Sequence, residues 1–239
     1  MAYVGDPFTE VDVRSFYQIE GRHNRDASGF AGVGEKTIYL TKSGISGPTF
    51  WTLYGSEIME KVEISEVGLF HVRAATHGSP SDNRNNHPIF YQTDQKVSHI
   101  LIHNGVVSPP EWMEKADGET DSEQLLYYWK GYGPEAWEAF QGWASVIIWD
   151  QGRVYCYKSG APLYYKQSEQ GVQLIQDIGR HWTSVPSETL FEVTAKGLVP
   201  QEKIILQPYP RFYYHRGEGD DMDLYRQGGY TYVDTDGLF

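Results

Sequence analysis

The sequence is short of cysteine, of basic charge and of long apolar runs, and each shortage closes off a class of protein. A single cysteine, Cys156, among 239 residues cannot form an internal disulfide, so nothing points to a secreted, disulfide-stapled scaffold. Nor can it make a multi-cysteine metal site. Twenty basic against 32 acidic residues leave a net charge of -12, which repels phosphate backbones and anionic lipid, so nucleic acid is not an expected partner. No apolar run approaches the roughly 18 residues of a membrane span, and the first residues lack a basic segment followed by an apolar one. No membrane association is expected; the expected location is the cytoplasm, or an assembly formed there. The eight histidines include no His-Glu-x-x-His pattern, so neither a catalytic metal nor another cofactor is expected.

What remains is ordinary globular composition, 40% hydrophobic and 22% charged, in a chain long enough for one large domain with a substantial core. No linker, repeat or low-complexity tract divides it. Thr9 followed by Asp12 predicts a capped helix with Val13, Phe16 and Tyr17 on one face, ending before Gly21. Residues 36–41 and 48–54 read as strands parted by Ser-Gly turns, with further strands over 67–74 and 97–103. Helices are expected over 121–130 and 134–141, then strands from 143 to 206. Cys156 falls in one of these, Arg153-Val154-Tyr155-Cys156-Tyr157, and reads as a small buried hydrophobe. Helices set between blocks of hairpin-linked strands, without alternating βαβ units, indicate an α+β domain. Composition shifts near residue 206. Residues 207–239 are proline- and aromatic-rich, then acidic, and read as an arm that is either a flexible terminus or a docking contact.

Chemistry-bearing side chains gather in three places. Gly68-Leu69-Phe70-His71-Val72-Arg73-Ala74 reads as a strand leaving a buried sheet, with Arg73, Thr76 and His77 at its end and in the loop beyond. A guanidinium grips a carboxylate through two parallel hydrogen bonds, so this is a candidate carboxylate cradle. A second strand runs into His103-Asn104-Gly105, where the Asn104 amide and the backbone at Gly105 form a candidate oxyanion site. Third, Thr120-Asp121-Ser122-Glu123 matches the capping box that begins a helix, placing Asp121 in a first turn where it can hold an ammonium group. Each has a plainer reading. Arg73 can be a structural salt bridge, Thr76 and His77 can satisfy backbone groups, Asn104-Gly105 alone suits a hairpin turn, and Asp121 suits a helix N-terminus whatever else it does.

Taken together, Arg73-Ala74-Ala75-Thr76-His77-Gly78, Asn86-His87-Pro88, His103-Asn104-Gly105 and Thr120-Asp121-Ser122-Glu123 resemble, in order and spacing, the glutamine-binding motifs of class II glutamine amidotransferases. These are glutaminase domains of the N-terminal-nucleophile hydrolase superfamily. Arg25-Asp26-Ala27-Ser28-Gly29-Phe30-Ala31 and Lys158-Ser159-Gly160-Ala161-Pro162-Leu163 are weaker echoes; the likeness covers about residues 1–200, and the domain it implies is 1–206. It implies a four-layer αββα sandwich, two antiparallel sheets between helices. It also implies that Arg73, Thr76, His77 and Asp121 bind glutamine while Asn104 and Gly105 stabilise its oxyanion. The family's mature chains begin with a nucleophilic Cys, and holding Gly5 in register puts Met1 there; a thioether cannot attack an amide. The expectation is therefore a glutamine or γ-glutamyl pocket without an attacking atom, a pseudoenzyme. The alternatives are an active glutaminase supplying ammonia to a partner synthase in trans, its Cys missing from this sequence, and a structural or assembly protein that reuses the fold.

Overall fold

The computed structural model describes residues 1–93, 96–116, 118–176 and 182–208. Its element order is β1 (Ala2–Val4), α1 (Glu10–His23), β2 (Ala27–Val33), β3 (Ile38–Ser43), α2 (Gly47–Val62), β4 (Val67–Arg73), β5 (Ile89–Thr93) and β6 (Lys96–Ser108). There follow α3 (Asp121–Tyr132), a 3₁₀ turn (Pro134–Ala139) and β7 (Gln141–Asp150). The chain then continues through β8 (Arg153–Ser159), β9 (Tyr164–Gln167), β10 (Val172–Ile175), β11 (Thr183–Ser184), β12 (Thr189–Thr194) and β13 (Gly197–Lys203). The strands form a seven-stranded sheet in the order β11-β9-β10-β1-β4-β2-β3 and a six-stranded sheet in the order β13-β12-β8-β7-β6-β5.

Period-two alternation along the strands sorts side chains into three apolar layers. On β6, Ile100 and Ile102 face the other sheet, packing with Ala2, Leu69 and Ile147, whereas Leu101 and Val107 face α3 with Leu125, Trp129 and Trp137. On β4, Leu69 faces the inter-sheet layer while Phe70 and Val72 meet Tyr17, Phe50 and Ile58 of α1 and α2. Helices thus cover both outer sheet faces. This is the expected αββα sandwich, α+β in class.

Local differences from the sequence expectation have physical causes. Residues 48–54 are not a strand; they lie inside α2, which opens with Pro48 in its first turn, where a missing N–H is no loss. Gly47, Phe50, Gly55, Ile58 and Val62 are the buried positions of α2, a helical spacing that aromatic and β-branched residues at 49–52 obscure. Helix α1 does not stop before Gly21. It runs on to His23, because Gly21 lies against Gly47 of α2, and a Cβ there would come within 2.5 Å of the Gly47 Cα. In place of a helix over 134–141, Pro134–Ala139 form a 3₁₀ turn, and β7 already begins at Gln141. At the other end of the chain, Gln207 still bridges to Gln141. The arm lies outside the described residues from Tyr209 onward.

Candidate functional site

β1 and β4 are antiparallel neighbours at the middle of the seven-stranded sheet, with Met1 at the start of β1. The Met1 amine donates to the Phe70 carbonyl at 3.1 Å, and the Phe70 N–H donates back to the Met1 carbonyl at 2.8 Å. Burial pushes the pKa of that amine down to about 5. Across the inter-sheet layer stand β6 and β7, which place Asn104 opposite Ser145 and Gly105 opposite Ala144. Alternation from Ile100 and Ile102 puts Asn104 on the inter-sheet face, and Ser145 shares that face with Ile147. Met1, His71, Asn104, Ser145 and Gln176 accordingly border one cavity of about 20 Å³ between the sheets. The Met1 side chain also packs against the cluster beneath α1 and α2.

Asn104 and Gly105 do not follow their strand, as the sequence suggested; they lie within it, because β6 runs on to Ser108. Gly105 has φ +145°, and a Cβ would meet the Trp143 carbonyl at 2.2 Å, so backbone conformation and the close approach of β7 both require glycine. Asn104 is exposed at this point.

Arg73 ends β4 and is buried. Its guanidinium donates to Asn86 Oδ1 at 2.8 Å, to the Gly78 carbonyl at 3.1 Å and to the His77 carbonyl, tying down the loop after the strand. Thr76 and His77 are exposed in that loop, their side chains 3.2 Å apart. The capping box at α3 is present as read: Thr120 Oγ1 accepts from the Glu123 N–H, and Glu123 accepts from the Thr120 N–H. Asp121 at the first helical position accepts from the Val107 N–H at 3.1 Å, joining α3 to β6. Its charge, with those of Asp26 and Glu123, reaches the Arg73 guanidinium. Met1 and Asn104 meet at the cavity; Arg73, Thr76, His77 and Asp121 are not among its lining residues.

The sequence reading passed over a buried polar cluster beside this cavity. His87 Nε2 and His103 Nδ1 lie 2.9 and 3.0 Å from Ser122 Oγ, and the His71 and His87 rings are 4.1 Å apart. Burial holds all three imidazoles uncharged at neutral pH, with His71 brought down to about 3. The parity of residues 71 and 73 on one strand was a legible sign that His71 shares a face with Arg73. Gln176 carries no such sign; it arrives through the pairing of β10 with β1.

No family model matches the chain. It is 28% identical over 175 residues to glutamine–fructose-6-phosphate aminotransferase (isomerizing) of Aquifex aeolicus, a match covering 64% of this chain and 28% of that protein. To the same enzyme of Clostridium tetani it is 36% identical over 87 residues, 31% of this chain and 14% of the relative. In fold, it superposes on glutamine phosphoribosylpyrophosphate amidotransferase of B. subtilis with a TM-score of 0.61 at 13% identity, over 84% of this chain and 48% of that one. The chain has a class II glutamine amidotransferase-like fold. The chain spans less than a third of the length of these aminotransferase relatives and about half that of the structural neighbour. Among the described residues, no helix is long and apolar enough to cross a membrane.

Proposed function

We propose that this domain binds L-glutamine, or a γ-glutamyl group, between its two sheets and that, with Met1 at the start of β1, it does not hydrolyse it. One observation carries the reading: Met1 and Asn104, contributed by opposite sheets, border the same inter-sheet cavity. In this reading the Asn104 amide and the Gly105 backbone donate to the side-chain carbonyl of the ligand. Arg73, with Thr76 and His77, takes the α-carboxylate by exchanging its bonds to the loop carbonyls for a charged acceptor, and Asp121 takes the α-ammonium. The Met1 thioether has no proton to lose and no anion to attack with, so the covalent step lacks its nucleophile. Cys156 does not replace it, being fully buried in β8 with its thiol pKa pushed up by burial.

The proposed protein partner is a synthase or ligase in trans, a role compatible with relatives that are several times longer than the matched region. The proposed setting is cytoplasmic, where Cys156 stays a free thiol, and residues 207–239 are the proposed contact with such a partner.

Isothermal calorimetry with L-glutamine tests the binding reading. Asn104→Ala and Asp121→Asn should each weaken binding by roughly tenfold or more, the worth of a hydrogen bond to a charged or developing-charge group. An absence of heat with the unaltered chain, or equal heats for all three proteins, would sink it. Steady ammonia release from glutamine by the chain carrying Met1 would overturn the inactive half of the proposal.

A further inference from the structure

His71 occupies the inter-sheet face of β4 beside the cavity that holds Met1 and Asn104. Its Nε2 lies 3.0 Å from the His103 carbonyl oxygen. A carbonyl only accepts, so Nε2 carries the ring proton and Nδ1 of the neutral imidazole is a lone-pair acceptor. That Nδ1 is closed off from solvent and has no hydrogen-bond partner among the described residues. Buried acceptors are seldom left unpaired, because the lost contact with water is not returned. A donor entering the cavity, from water or from a ligand, would satisfy it.

The cavity already admits a group of the matching class. The Gln176 carboxamide borders it and donates through Nε2 to Ser145 Oγ at 2.6 Å. The remaining space of about 20 Å³ suffices for about one water molecule, so a larger ligand enters only as Gln176 moves aside. A ligand carboxamide in that place finds an amide donor in Asn104 for its oxygen and a lone-pair acceptor in His71 for its NH₂. A carboxylate presents acceptors on both sides, and an imidazole so reluctant to protonate has nothing to give it.

We infer that His71 Nδ1 is a specificity-determining acceptor for the NH₂ of a bound carboxamide, so that the cleft takes glutamine and excludes glutamate. The inference rests on the glutamine reading above and deepens it. Sites built to satisfy a ligand's hydrogen bonds reject analogues that leave the site's own group unpaired, so glutamine should bind the full chain at least roughly 10²-fold tighter than glutamate at pH 7.5.

Competition calorimetry with L-glutamine and L-glutamate on the unaltered chain and on His71→Phe reads the ratio. The expected result is a ratio that collapses in His71→Phe through weaker glutamine binding, with glutamate little changed. As His71→Phe can fail to fold, ¹⁵N NMR of the unaltered protein supplies a second readout: glutamine should shift the His71 Nδ1 resonance and glutamate should not. Equal affinities for the two amino acids, or glutamine binding that leaves Nδ1 unmoved, overturns the role of His71 while leaving the glutamine site standing. Failure of both amino acids to bind the unaltered chain overturns the role and the site together.

Discussion

Gly105 shows how narrowly a single position is constrained. At φ +145°, with the Trp143 carbonyl 2.2 Å from where a Cβ would stand, alanine must either strain the backbone or part β6 from β7. Gly105→Ala should therefore cost about 3 kcal/mol or more, read as a lowered midpoint in urea, and a change within 0.5 kcal/mol would show that the two strands give way easily. Arg73 is bound as tightly, with Asn86, His77 and Gly78 all on one guanidinium. Lysine keeps the charge but loses the fork, so Arg73→Lys should loosen the loop and cost about 2 kcal/mol even without ligand. Cys156 is the opposite case, a reactive atom made inert by its place. Fully buried, with its thiol pKa raised, it should resist alkylation in the folded protein and react fully in urea; rapid labelling of the native chain would refute that.

At the scale of elements, helix ends and helix contacts set the geometry near the site. The reciprocal bonds between Thr120 and Glu123 begin α3 where Asp121 can reach the Val107 N–H on β6. Thr120→Ala removes one half of that cap and should destabilise the protein by about 1 kcal/mol, measured by thermal unfolding. On the other side of the sandwich, α1 and α2 approach through Gly21 and Gly47, whose added Cβ atoms would lie 2.5 and 2.2 Å from backbone of the partner helix. These two glycines are why α1 continues past the point where a glycine would ordinarily end it. Whether such a glycine is a stop or a contact depends on a helix some 25 residues away in sequence, so local signals could not decide it.

For the whole molecule, the buried histidines tie stability to pH. His71, His87 and His103 have folded pKa values below 6.5, chiefly through burial, with His71 at about 3. Between pH 6.5 and those values the unfolded chain binds protons that the folded chain refuses. Stability is full above about pH 6.5 and falls as pH drops, by up to about 1.4 kcal/mol per pH unit for each histidine. Urea unfolding between pH 7.5 and 4.5 should show a steep fall in midpoint, shallower in His87→Gln. A flat profile would mean that these rings gain protons without cost in the folded state.

Much of this was legible beforehand because it is local. The Thr120 capping box, the alternation in β4 and β6 and the burial of Cys156 each depend on residues within a few positions of one another. The αββα class followed from the motif resemblance and the order of elements. What the tertiary structure alone decided is everything that depends on partners distant in the chain. Residues 48–54 became helix because their apolar face is buried on the seven-stranded sheet, overriding the pull of aromatic and β-branched side chains toward strand. Gln176 reached the cavity through the pairing of β10 with β1, and His103 came to share a serine with His87 through the docking of α3. Spacing along a chain records which face a side chain takes, but only closure of two sheets upon each other determines what that face meets.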